Sequence, residues 1–397
     1  MKENTLKMAQ ISSDFLDFIV KQLSEKEQKE QKEFQDEFDM MHNLKLNLAK
    51  GENYALSASK LLLISDSIAY EENFEKWRED KLHEQFADIH EYINQTKQGT
   101  QISELVEAIK SQMVVPFIGA GLSCQNGLPS WGGALRELFE KVKDEDDDNK
   151  FENLKKYEKL RNGLENLEKK EFLEAANYFY SYDSTITENF LSSRFRLKTG
   201  ERICGALSLL PDLFKGCIIT TNFDSLIEEA YLGERKPIKN YMHGIQKEHN
   251  FHTALSRGER SILKLHGSSP DIDTYIFSKK QYDKAYGSGE IDFSKPLAKI
   301  LRQIYVSRNL LFLGCSLEED ITLKLFKKVI DNKEFFPSKH YAMLPDIADK
   351  KEKKKKETRM IQYNISPIWF RVKHNSYEEL NTLLGFVKHL VLDELRL

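Results

Sequence analysis

Four short stretches of the chain combine small residues with side chains able to do chemistry. They read Gly119-Ala120-Gly121-Leu122-Ser123, Thr221-Asn222-Phe223-Asp224, His266-Gly267-Ser268 and Gly314-Cys315-Ser316. Without Cβ atoms at 119 and 121, backbone N–H groups can approach an anion such as a pyrophosphate. An imidazole titrates near neutrality, so His266 is a candidate base. Asn222 has both a donor and an acceptor and can orient a hydroxyl or a water. Taken singly, each stretch is bland. A glycine turn after a strand occurs in many α/β proteins, and a histidine at such a position is commonly structural. The first loop also departs from the dinucleotide fingerprint, because Cys124 stands where G-x-G-x-x-G requires its third glycine. Nor does a strand with an acidic end follow about twenty residues later.

Each stretch follows an apolar run, at 113–118, 217–221, 262–265 and 309–313. Runs this short that end on glycine or polar residues read as buried parallel strands. In open α/β sheets the carboxyl ends of such strands are where ligands bind. Further strands are expected at 340–344 and 365–372, with a short one at 275–277. Helical patterns cover 102–110, 135–142, 225–231, 280–286, 297–306 and 377–392. The fold class is therefore α/β: a Rossmann-like parallel sheet with helices on both faces. A helical insertion spans about 151–210, rich in Phe and Tyr, with Gly163 and Gly200 as breaks. The acidic run 144–148 reads as a solvated turn, and the lysine run 350–356 reads as a mobile loop.

Residues 1–100 contain no proline and, before Gly99, one glycine, Gly51. Met8, Ile11, Phe15, Phe18, Ile19 and Leu23 form an apolar stripe at helical spacing, beside the charged segment 24–33. The expected division is a helical region over 1–100, for assembly or packing, and a catalytic domain over 101–397. A net charge of −4 gives no global basic field, so direct binding of nucleic acid is not expected. The four cysteines form no C-x-x-C pair, which argues for reduced thiols and against a zinc site. No apolar run is long enough to cross a bilayer and no leader pattern is seen, so a cytoplasmic protein is expected.

In series, the four stretches and the Gly127-Leu128-Pro129 turn resemble the sirtuin family, specifically its bacterial sirtuin-like NAD-hydrolysing domains. The resemblance runs over roughly 105–390. It implies that Gly119, Ala120, Gly121 and Ser123 cradle the phosphates of NAD and that Gly314 and Ser316 face its adenosine ribose. Thr221, Asn222 and Asp224 would line the nicotinamide-ribose pocket, with Asn222 and His266 catalytic. Two departures separate the chain from protein deacetylases of the family. Ser130-Trp131 follows Pro129 in place of an aromatic-Arg pair, and no cysteine lies between His266 and Gly314 to build the zinc module. The implied activity is NAD+ glycohydrolysis to nicotinamide and ADP-ribose, without a metal, in an antiphage effector that depletes NAD. The alternatives are a non-catalytic subunit sensing NAD or ADP-ribose and a protein deacylase. Such an enzyme needs restraint. The implied sources are self-assembly or a separately encoded partner such as a HerA-type ATPase, with the stripe 8–23 as the contact.

Overall fold

Short runs of β-branched, aromatic and leucine residues that end in turn-forming residues bury well as strands, and six of the seven sheet strands here arise from such runs. The computed structural model describes residues 25–47, 53–146, 154–197, 203–244, 249–269, 271–318, 321–333, 336–373 and 377–397. They fall into two compact units that divide between Asp88 and Ile89.

The first unit contains helix Glu25–His42, strands β1 (Leu44–Asn47) and β2 (Asn53–Leu56), and helices Ala58–Ser65 and Ser67–Gln85. Phe34 is its buried centre, with Tyr70 and Phe74 both at 5.3 Å between ring centroids and Phe38 at 5.4 Å. The antiparallel pairing of β1 with β2 corrects the expectation of helices alone. LKLN and NYAL alternate with period two on either side of Gly51, a hairpin pattern that a search for helical stripes passes over. The stripe at 8–23 lies outside the described residues.

The second unit is built on a seven-stranded parallel sheet in the order β5-β6-β4-β3-β7-β8-β9. These strands are β3 (Val114–Ile118), β4 (Cys217–Thr220), β5 (Asn240–His243), β6 (Ser261–Lys264), β7 (Asn309–Leu313), β8 (His340–Pro345) and β9 (Ile365–Phe370). From central β3 the chain moves to β4 on one side and later returns to β7 on the other. That reversal makes the carboxyl ends of β3 and β7 the switch point at which open α/β sheets bind ligands. Register then aligns the candidate residues. Ile118 lies opposite both Thr220 and Leu313, and Thr220 lies opposite Lys264. Gly119, Thr221 and Gly314 each follow this row by one residue, and His266 by two.

Alternate strand residues face opposite sides of a sheet, and here both sets are buried, so helices cover both faces. Val115, Phe117, Ile219, Leu263 and Phe312 share a core with Leu297, Ile300, Leu301 and Ile304 of helix Pro296–Ser307 and with Phe326 of helix Ile321–Asp331. Ile118, Ile218, Ile262 and Leu311 are fully buried on the other side. A second core joins the inserted helices Leu154–Glu168, Phe172–Tyr182 and Ser184–Arg194 to Phe223, Tyr275 and Phe277.

Four local expectations change. Residues 275–277 form no strand; Tyr275 and Phe277 are buried in that second core, and their bulk explains the strand-like look of the run. Gly163 does not break a helix but lies within Leu154–Glu168, where an added Cβ would stand 2.4 Å from Cε1 of buried Phe179. Gly200 lies outside the described residues. The lysine run is not a loop but helix Lys350–Ile361, begun by Asp349, which accepts from the Lys351 and Glu352 amides at 2.7 and 3.1 Å. Edge strand β5, NYMH, has too weak an apolar signal to be recognised alone. Asp144–Asp146 continues helix Trp131–Asp146 rather than turning.

His340 begins β8 and is fully buried, its Nδ1 accepting from the Leu310 amide of β7 at 3.0 Å. Burial lowers its pKa from the ordinary value to about 3. The unfolded chain therefore takes up a proton near pH 6.5 that the folded chain refuses, so stability falls as pH drops below that value. The expected loss from His340 between pH 7 and 5 is about 2 kcal/mol in urea unfolding. In NMR the ring should remain neutral at pH 5, and a titration near 6.5 would overturn this account.

Candidate active site

The site is organised by a directional set of hydrogen bonds between the ends of β3 and β4. Asp224 is 3% exposed and, as a carboxylate, can only accept. Its Oδ2 accepts from the Ser123 hydroxyl at 2.8 Å and its Oδ1 from the Leu226 amide at 3.1 Å. Having donated its proton, Ser123 Oγ accepts from Asn222 Nδ2 at 2.9 Å. The same Nδ2 donates to the Gly119 carbonyl at 3.2 Å. Carbonyls only accept, so the amide nitrogen of Asn222 must face β3 and its oxygen must face away. That Oδ1 is buried and has no hydrogen-bond partner among the described residues. A buried acceptor left open beside the switch point suits a ligand hydroxyl or a water. Thr220 steadies the turn, donating to the Ile118 carbonyl and accepting from the Asn222 amide, both at 3.0 Å.

Lys264 lies beneath this set, fully buried in β6, with Nζ 2.9 Å from Glu228 Oε1 and donating to the Asp224 carbonyl. Burial raises the pKa of Asp224, while Lys264 and the Ser123 hydroxyl oppose the rise. Sequence reading passed over Lys264, although a lysine inside the apolar run SILKL is itself a signal for a buried ion pair.

The glycines do something other than cradle phosphate with every amide. Gly119 N–H donates to the Leu313 carbonyl at 2.9 Å, and Gly121 N–H donates to the Gly314 carbonyl at 3.0 Å. A Cβ on Gly119 would stand 2.5 Å from the Gly314 oxygen. Gly314 has φ +66°, and a Cβ there would stand 2.5 Å from Leu122 Cδ1. These residues let the β3 and β7 loops lock together, and two amides expected to meet pyrophosphate are already used. Ser123 and Asp224 likewise turn inward and position Asn222. Ala120 is partly exposed, Gly121 and Ser316 are exposed, and Thr221 and Gly314 are partly exposed, leaving these five at the open edge.

His266 stands two residues past β6, with Nε2 3.0 Å from the Tyr282 hydroxyl. Burial lowers its pKa to about 4, and a hydrogen bond with the Thr221 backbone opposes that shift. The ring is therefore neutral at pH 7. Phe223 packs beside it at 6.3 Å between centroids, and Trp131 stacks on Phe223 at 6.0 Å. Phe277 meets Trp131 edge-on at 5.2 Å, extending an apolar wall toward the inserted helices. Tyr282, on helix Lys279–Tyr286, has no sequence signature. Only the path of the chain brings it to the histidine. Among the described residues, no group of three or more His, Cys, Asp or Glu side chains is placed to hold a metal, and the four cysteines are free.

Ser123→Ala should remove the donor to Asp224 and the acceptor for Asn222 together. Leaving buried polar groups unmatched costs about 1–3 kcal/mol, measurable by urea unfolding. Unchanged stability would show that the Ser123 bonds contribute nothing net.

Comparison with known proteins agrees with the motif reading. Residues 216–368 match the model of the SIR2-like domain, a span that includes the TNFD, HGS and GCS stretches. The glycine loop precedes that span, and β3 joins it through pairing with β4 and β7. A curated relative, NAD(+) hydrolase ThsA of Cytobacillus dafuensis, is 24% identical over 234 residues, or 58% of this chain and 41% of the relative. The matched region thus spans less than half of that relative's length. Over 216–368 the chain is thus similar to the SIR2-like domain, and that span lies in a sheet whose centre is β3 and its glycine loop.

Proposed function

We propose that the chain hydrolyses NAD+ at the nicotinamide–ribose bond, releasing nicotinamide, ADP-ribose and a proton. The observation that carries this reading is the open, buried Oδ1 of Asn222, held beside the switch point by the Ser123–Asp224 bonds. In the reaction the C–N bond breaks with both electrons passing to the pyridinium nitrogen, which leaves neutral. Positive charge develops on the ribose carbon, and water adds there and loses a proton. Asn222 Oδ1 accepts from the attacking water or a ribose hydroxyl and fixes its direction. His266, neutral above pH 4, can take the released proton once its Nε2 is free of Tyr282. Bound pyrophosphate would make the imidazolium more favourable, strengthening a base that is weak in the empty site. The wall of Trp131, Phe223 and Phe277 offers an apolar surface for the nicotinamide ring. Its relative's name as an NAD(+) hydrolase supports the same chemistry. A role in antiphage defence through NAD depletion rests on the family resemblance.

The test is release of nicotinamide from NAD+ by the purified chain and by Asn222→Ala and His266→Ala. Each substitution should lower turnover by about 10²–10⁴-fold, the usual cost of losing such a group. Thermal midpoints near the parent value would confirm that both variants fold. Near-parent turnover in both, or tight NAD binding without cleavage by the parent, would overturn the assignment, the latter in favour of a sensor.

A further inference from the structure

Helix Lys350–Ile361 sorts its charges between two sides. Lys353 is turned inward, pairing with Asp346 and lying 4.8 Å above the Trp369 ring. Glu357 is drawn the same way, accepting from Trp369 Nε1 at 3.1 Å. The other side is an open face lined by Lys351, Lys354, Lys355, Thr358, Arg359 and Gln362. Four of these are cations, none is acidic, none is aromatic, and all six can donate hydrogen bonds. Arg359 is fixed at its rim, with Nη2 donating to the Leu317 carbonyl at 2.7 Å. Asp349 at the cap, Glu352 in the first turn and Glu318, whose charge acts on Lys356, are outside the lining.

This arrangement costs the isolated helix stability. Lys350 and Lys354, Lys351 and Lys355, and Lys355 and Arg359 are like charges four residues apart, and each such pair is unfavourable. Lysines in the first turn also oppose the helix dipole. A face serving solubility alone would do better with mixed signs. A bound polyanion relieves both penalties.

We propose that this face binds the phosphodiester backbone of duplex nucleic acid without reading its sequence. Lys, Arg, Thr and Gln are the side-chain types that contact phosphate. Lacking an aromatic platform, the face gives single strands no stacking advantage. From 351 to 362 the helix rises about 16 Å, enough to meet several phosphates. The chain's net charge of −4 does not forbid this, because acids more than about 10 Å away are largely screened at moderate salt. The inference is independent of the NAD reading.

Fluorescence anisotropy with the full chain and a labelled mixed-sequence duplex of about 20 base pairs tests it. Binding should fall in the range of about 1–100 µM near physiological salt and be tighter at about 50 mM. Four phosphate contacts predict a log–log salt slope near −3.6, or about a hundredfold weakening at 200 mM. The triple variant Lys351→Gln, Lys354→Gln, Lys355→Gln should bind at least tenfold more weakly, with an equal or higher thermal midpoint. Lys355→Gln alone should make the slope shallower by about one and serves if the triple variant misfolds. Absent binding at 50 mM, equal affinity in the variants, or binding to phosphatidylserine vesicles but not to the duplex would each overturn the proposal.

Discussion

One buried carboxylate sets the direction of the site. Asp224 can be held away from water only if its oxygens find donors, because an unpaired buried charge costs several kcal/mol. Ser123 and the Leu226 amide supply them, and Lys264 supplies a neighbouring positive charge. Once Ser123 is committed to donate to Asp224, it can only accept from Asn222. Asn222 must then present its oxygen outward. Under the proposed function, a residue that need not touch the ligand thus decides which atom of Asn222 the ligand would meet.

Backbone contact between two loops makes the same site rigid. Gly119 and Gly121 meet the Leu313 and Gly314 carbonyls directly, an approach that side chains at these positions would block. The loops belong to β3 and β7, the adjacent strands where the chain reverses its course across the sheet. The glycines therefore join the two sides of the crevice, and under the proposed function the exposed residues between them are the ones left to meet a ligand. The inserted helices contribute from the side. Their core reaches Phe223, next to Asn222, and the Phe223 ring centroid lies 6.3 Å from that of His266.

Averages over composition hide local fields. A chain with a small net negative charge still concentrates four cations on one side of helix Lys350–Ile361, because Trp369 and Asp346 draw Glu357 and Lys353 to the other. Charge counting cannot register this. The sorting depends on which helical side meets β9.

Strands β3, β4, β6, β7, β8 and β9 are legible before folding, since apolar runs ending in glycine or polar residues are local signals with few competing outcomes. The sequence also singled out the four strand-end stretches, and parallel pairing then put them at one edge. It could not assign roles within them. Ser123 and Asp224 look like ligand contacts in the sequence and face inward in the fold, because hydrogen-bond direction depends on partners 99–101 residues away. Lys264 and Tyr282 reach the site through pairing and chain path, which leave no periodic trace. The hairpin β1–β2, edge strand β5 and the helix across the lysine run were missed where local propensity was weak or ambiguous. Hairpin pairing, sheet-edge pairing, and capping by Asp349 with packing on β9 decided them. Tertiary structure decides such elements because their stabilising partners lie elsewhere in the chain.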